Sequence, residues 1–120
     1  MVSQLSVLRV QGGYYLVTGL WPIVHLASFE AITGPKVDDW LVRMVGLLAA
    51  VIGATLLTAA RGARTREIYV LSIGSAFAFA AIDIWYALQG RISLVYLADA
   101  VVELGMVALL VLARRAASEG

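Results

Sequence analysis

The chain has 120 residues, 62% of them hydrophobic and 14% charged, with a net charge of +1 at pH 7. A soluble domain is typically ~45–50% apolar and ~25% charged, so this composition excludes an ordinary soluble domain and fits one integral membrane domain over residues 1–120. The near-neutral balance offers nucleic acid no electrostatic surface, and the absence of cysteine excludes disulfides, thiolate nucleophiles, iron–sulfur clusters and Cys-type zinc sites.

A spanning helix needs ~20 mostly apolar residues, because ~30 Å of hydrocarbon is crossed at about 1.5 Å per residue. Four stretches meet that requirement. The first, residues 5–24, carries Arg9 and Gln11 near its start and Trp21-Pro22 near its end, where the proline is placed to kink or stop the helix. It lacks a basic leader region and runs past a plausible cleavage site, so it is expected to remain as a helix. The longest extramembrane segment follows, residues 25–39. Within it Ser28–Ile32 reads as one short interfacial turn, capped by Ser28 and stopped by Thr33-Gly34-Pro35, with Phe29 and Ile32 dipping into the interface and Glu30 and Lys36 wet.

The second span, residues 40–60, has Asp38 or Asp39 as a candidate N-cap. The third, residues 68–88, has Thr65 in that position and Gly90 to close it; the fourth, residues 93–112, has Ser93. The expected fold is all-α, an up-down-up-down transmembrane four-helix bundle. Lipid gives helices no hydrophobic reason to associate, so packing is expected to rely on small residues. Candidates are Gly12, Gly13 and Gly19 on the first span, Gly46, Ala49, Ala50 and Gly53 on the second, and Gly74, Ser75 and Ala78 on the third.

Orientation is read from basic residues flanking the spans. One side collects Arg9, Arg61, Arg64, Arg66, Arg114 and Arg115; the other has Lys36, Arg43 and Arg91. The bias predicts both termini in the cytoplasm and a multi-pass protein of the inner (plasma) membrane. Trp21, Trp40, Trp85, Tyr86 and Tyr96 fall near the outer helix ends, as an aromatic belt would.

The informative residues are acids within spans. Asp83 lies about 7 Å below the outer edge, Asp99 about 9 Å and Glu103 about 15 Å, near the midplane. Asp99 and Glu103 are four apart, hence on one face, with Tyr96 adjoining. A central charge costs ~2.5–3.5 kcal/mol on insertion scales, so these acids are expected to face inward and find partners. Arg43 sits at a similar depth to Asp83 and Asp99, Arg9 is within reach of Glu103, and Gln11, Tyr14 and Tyr15 add hydrogen-bonding groups. An acid left over would be protonated, hold a cation, or border a wet cavity.

The stretch Phe29-Glu30-x-x-Thr33-Gly34-Pro35-Lys36-x-Asp38-x-Trp40-Leu41-Val42 resembles the first loop of certain small, uncharacterised bacterial four-span membrane proteins, as do Asp83 and Tyr96-x-x-Asp99-x-x-x-Glu103. The resemblance covers most of the chain and implies a bacterial four-span membrane protein, with no activity attached.

Two readings compete for the polar cluster. In the first, Asp83, Asp99, Glu103 and Arg43, with Tyr96 and Trp85 shaping the pocket, bind a small ligand, lipid head group, proton or cation, including for transport. Glu30, His25 and Arg9 are secondary candidates. Small multidrug transporters are similar in length and span number, but this chain's first span has no acid, so the likeness is architectural only. In the second reading the cluster is an interhelical network in a closed bundle with little cavity volume, and the protein is an accessory, assembly or scaffold subunit. A partner for either is the lipid bilayer, with a second copy or another membrane protein as further partners. His25, the only histidine, reads first as an interfacial polar residue and second as a pH sensor or metal ligand. Enzymatic function has the weakest case: no nucleophile–base pair, metal spacing or phosphate loop is present. No catalytic residue, metal or cofactor is therefore assigned. The one lysine, Lys36, lies in a loop, unsuited to a retinal Schiff base.

Overall fold

The computed structural model describes residues 3–62 and 65–119, with side chains as far as Arg115. Five helices follow in order: α1 (Gln4–Val24), α2 (Leu26–Thr33), α3 (Asp39–Arg61), α4 (Arg66–Leu88) and α5 (Val95–Glu119). Among the described residues there is no strand. Three helices, α3, α4 and α5, are each long and apolar enough to cross a membrane. The α1–α2 pair, bent by 114°, makes a fourth if taken as one span.

Local chemistry sets the boundaries. Ser3 starts α1, its hydroxyl accepting from the Ser6 amide at 3.1 Å. Pro22 has no N–H to continue the ladder, and α1 ends two residues later. The chain then turns sharply into α2. His25, not Ser28, caps this helix: its Nδ1 accepts from the Ser28 amide at 3.2 Å. The helix is correspondingly longer than the expected single turn, running eight residues to Gly34, which takes φ +98° where a side chain would be strained. Asp38 and Thr65 occupy the N-cap positions of α3 and α4 without a side-chain cap bond. The Ser93 hydroxyl accepts from the Val95 amide at 3.2 Å, and Gly90 leaves α4 at φ +75°. Helix α5 runs seven residues past the expected end at Leu112, through an alanine- and arginine-containing segment of good helix formers.

Each helix buries one stripe at helical spacing. On α3 it is Gly46, Ala49, Ala50, Gly53 and Leu56; on α4 it is Tyr69, Ser72, Ala76, Ala80 and Asp83. Helix α1 is central. It packs most extensively on α3 and also meets α5, whereas α3 and α4 barely touch despite being consecutive. Leu8, Tyr15, Leu56 and Met106 bring three of these helices into one apolar core.

The α1–α3 contact is made by glycine. Gly12 lies against Gly53 and Gly19 against Gly46, a reversed pairing that sets the two helices antiparallel. A Cβ on Gly19 would come within 2.4 Å of the Gly46 carbonyl oxygen, and one on Gly53 within 2.5 Å of the Gly12 oxygen. Both are impossible without separating the helices. Gly13 and Gly74, also expected to pack, have open space where a Cβ would stand, and Ala78 is exposed.

Gly19→Ala and Gly53→Ala are each expected to lower stability by about 1–3 kcal/mol, the usual cost of overpacking. Gly74→Ala should be neutral or slightly stabilising, since it adds only helix propensity. Thermal unfolding of the detergent-solubilised variants checks this ordering.

Candidate functional site

A cavity of about 690 Å³ opens at the end of the molecule that carries α2. Its floor holds Asp83, Asp99 and Glu103, its walls include Phe79, Ile82 and Val95, and its mouth includes Phe29, Lys36 and Tyr96. The closed bundle with little cavity volume belongs to the scaffold reading, and this end of the molecule is hollow instead. The hollow runs beside the second half of α1, along Tyr14, Thr18 and Pro22, where α3 and α4 have little contact with each other.

The acids are held by tyrosines rather than arginines. The Tyr15 hydroxyl donates to Glu103 Oε2 at 2.7 Å, and the adjacent Tyr14 hydroxyl donates to Asp99 Oδ1. Tyr15 in turn accepts from Gln11 Nε2 at 3.2 Å, which also donates to the Ser72 carbonyl at 2.9 Å. The Ser72 hydroxyl closes this chain on Gln11 Oε1. Tyr15 is further fixed by an edge-to-face contact with Phe79, centroids 5.3 Å apart. The network thus crosses α4, α1 and α5 and ends in the cavity floor.

Four buried carboxylate oxygens are left over: those of Glu30 and Asp39 outside the cavity, and two on residues of its floor. Glu103 is 0% exposed and Asp83 5%, yet Glu103 Oε1 and Asp83 Oδ2 have no hydrogen-bond partner. Asp83 on α4 and Asp99 on α5 both line this floor. A buried polar atom without a partner is costly, and one beside other carboxyls more so.

Arg43 and Arg9, expected to pair with these acids, are both exposed, and no ion pair forms among the described residues. Arg9 points off the buried α1 face of Leu8, Gln11 and Tyr15. Arg43 is one turn before buried Gly46, but there α1 has already bent away at Pro22 and His25. Trp85, expected to shape the pocket, is 64% exposed, because it lies on the opposite face of α4 from Asp83. Tyr96 does line the cavity. His25 is exposed and serves as the α2 cap. Glu30 is half-buried beside Asp39 outside the spans, and that neighbouring carboxyl pushes Glu30 above the usual glutamate range. Among the described residues no group of three or more His, Asp or Glu side chains is disposed to hold a metal ion.

Sequence reasoning missed Lys36 and Phe29 as parts of the site. The Lys36 ammonium donates to the Thr33 and Gly34 carbonyls at 3.2 and 2.6 Å, and to the Thr33 hydroxyl at 3.1 Å, capping α2. The signal was a lone lysine just after a Thr-Gly-Pro helix stop.

Compared with known proteins, the chain matches no family model, no curated protein and no solved structure.

Tyr15→Phe strips Glu103 of its one donor and is expected to cost about 1–3 kcal/mol. Adding Glu103→Met removes the stranded acceptor as well, so the double variant should be more stable than the sum of the single effects predicts. A double-mutant cycle on thermal unfolding measures that coupling; strictly additive effects would contradict the bond.

Proposed function

We propose that this is a multi-pass membrane protein whose α2-end cavity binds a small ligand through Asp83, Asp99 and Glu103. The observation that carries the reading is that Glu103 and Asp83, both residues of the cavity lining, each keep a buried carboxylate oxygen without a partner. Groups of this kind inside a membrane are a functional signature, because each costs the fold free energy unless something satisfies it. The scaffold reading requires the opposite arrangement, acids matched by Arg43 and Arg9 in a dry interior. Both arginines are exposed, and the acids border a hollow.

In this reading α1, α3, α4 and α5 are four spans running up-down-up-down, and α2 lies in the interface over the cavity mouth. Contacts support alternating directions. Gln4 meets Tyr69 and Tyr15 meets Phe79, so α1 and α4 run parallel, while the Tyr14–Asp99 bond and the core shared by Leu8 and Met106 make α1 and α5 antiparallel. Arg9, Arg61, Arg66, Arg114 and Arg115 mark the cytoplasmic side of a bacterial inner membrane, which places the cavity mouth on the outer side. Arg64, counted with them, lies outside the described residues.

Native mass spectrometry of the protein, extracted gently from its host membrane, tests the reading. A defined small-molecule mass is expected on the wild type and should be lost in the Asp99→Asn, Glu103→Gln variant. A stoichiometric partner chain with no such mass would make the protein an accessory subunit instead.

A further inference from the structure

We propose that the ligand of this cavity is an amphipathic organic cation, an alkyl- or arylammonium whose apolar body fills the hollow and whose N–H groups reach Asp83 and Glu103. The inference rests on the reading of the cavity as a binding site and names the class of its occupant. Three separate features of the cavity agree on it.

The mouth already holds an alkylammonium. The Lys36 amine stands 5.3 Å from the centroid of the Tyr96 ring and 5.8 Å from that of Phe29, so two aromatic faces form a half-cage around a cation. That half-cage is pre-organised. Phe29 packs edge-to-face on Trp21 at 5.3 Å, and Trp21 Nε1 is fixed by the Ser28 hydroxyl at 2.8 Å. The lysine amine is held there by Thr33 and Gly34 and makes no ion pair with the floor acids, so a ligand ammonium passes this mouth to reach them.

The floor asks for donors. Glu103 Oε1 and Asp83 Oδ2 are sheltered, unpartnered acceptors, and Lys36 at the mouth is the cation nearest to them among the cavity-lining residues. An ammonium there would supply charge and N–H groups together, and charge-assisted hydrogen bonds are the strong ones.

The walls select for an apolar body. A cavity of about 690 Å³ bounded by Phe79, Ile82, Val95 and Ala98 is the size of a small-molecule pocket and far larger than an inorganic ion. The described acids do not group as a metal site, and three carboxyls repel a phosphate or carboxylate head.

The test uses the full chain in detergent micelles and equilibrium dialysis with three isosteric probes: 1-naphthylmethylammonium, 1-naphthylmethanol and 1-naphthaleneacetate. The ammonium is expected to bind at least about tenfold more tightly than the alcohol, with the acetate weakest. Lys36→Met removes a like charge from the mouth and should tighten ammonium binding about threefold, whereas Tyr96→Leu removes an aromatic face from the cation's way in and should weaken it about three- to tenfold. Opposite signs at two neighbouring mouth residues are not produced by general destabilisation. Equal binding of ammonium and alcohol, or preference for the acetate, overturns the cationic class while leaving the cavity as a binding site. Weaker binding in Lys36→Met overturns the repulsion between Lys36 and a cationic ligand, and with it the cationic class. No binding of any probe, together with no native ligand mass, overturns the cavity reading as well.

Discussion

A carboxyl group placed in the interior of a membrane protein must find a hydrogen-bond donor, a proton or a cation, and Glu103 finds a tyrosine. The bond from Tyr15 ties α5 to α1 at a fully buried point of the fold, and its geometry satisfies one oxygen only. An arginine would have neutralised the charge and offered donors to both oxygens. A hydroxyl does neither, so one oxygen of Glu103, and one of Asp83 across the floor, stay buried without a partner. The demand for a further partner follows from the choice of residue at position 15.

That choice depends on where α1 lies. Tyr14 and Tyr15 reach two acids four residues apart on α5 because α1 occupies the centre of the molecule, pressed onto α3 at Gly12–Gly53 and Gly19–Gly46. Backbone-to-backbone approach of this kind is what small residues permit in lipid, where apolar side chains gain nothing by leaving one another for acyl chains. Beyond the second glycine pair, Pro22 and His25 end the helix and the chain bends by 114° into α2. Space opens beside α1 between Tyr14 and Pro22, and α2 with the segment after it brings Phe29 and Lys36 to its mouth. The polar chain from Ser72 through Gln11 to Tyr15 fills the level below, and Leu8, Leu56 and Met106 pack below that, so the hollow has a floor.

Much of this was legible in the residues. Apolar run lengths place the long helices to within a few residues, except for the seven added at the end of α5, because hydrocarbon thickness fixes that length and little else competes. The four-residue spacing of Asp99 and Glu103 places both on the inward side of α5. Partner identity was harder. Arg9 and Arg43 have suitable depths, but depth along a helix leaves its azimuth open, and Arg9 is off the buried stripe. Arg43 is on that stripe yet faces a place where α1 has already turned away, a long-range fact that no local pattern carries. Trp85 sits at an aromatic-belt depth but 200° around α4 from Asp83, on the angle a helix imposes. The cavity itself arises from the weak α3–α4 contact, and nothing in either helix alone announces it.

The most direct test of an inward, unpartnered carboxyl bordering a hollow is modification by a membrane-permeant carbodiimide, such as dicyclohexylcarbodiimide, with intact-protein and peptide mass spectrometry as the readout. Adduct formation at Glu103 or Asp83, slowed by 1-naphthylmethylammonium and lost at the altered position in Glu103→Gln or Asp83→Asn, is the expected result. Modification confined to Glu30, Asp39 and the exposed acids, with the α4 and α5 carboxyls untouched at any reagent level, would contradict it.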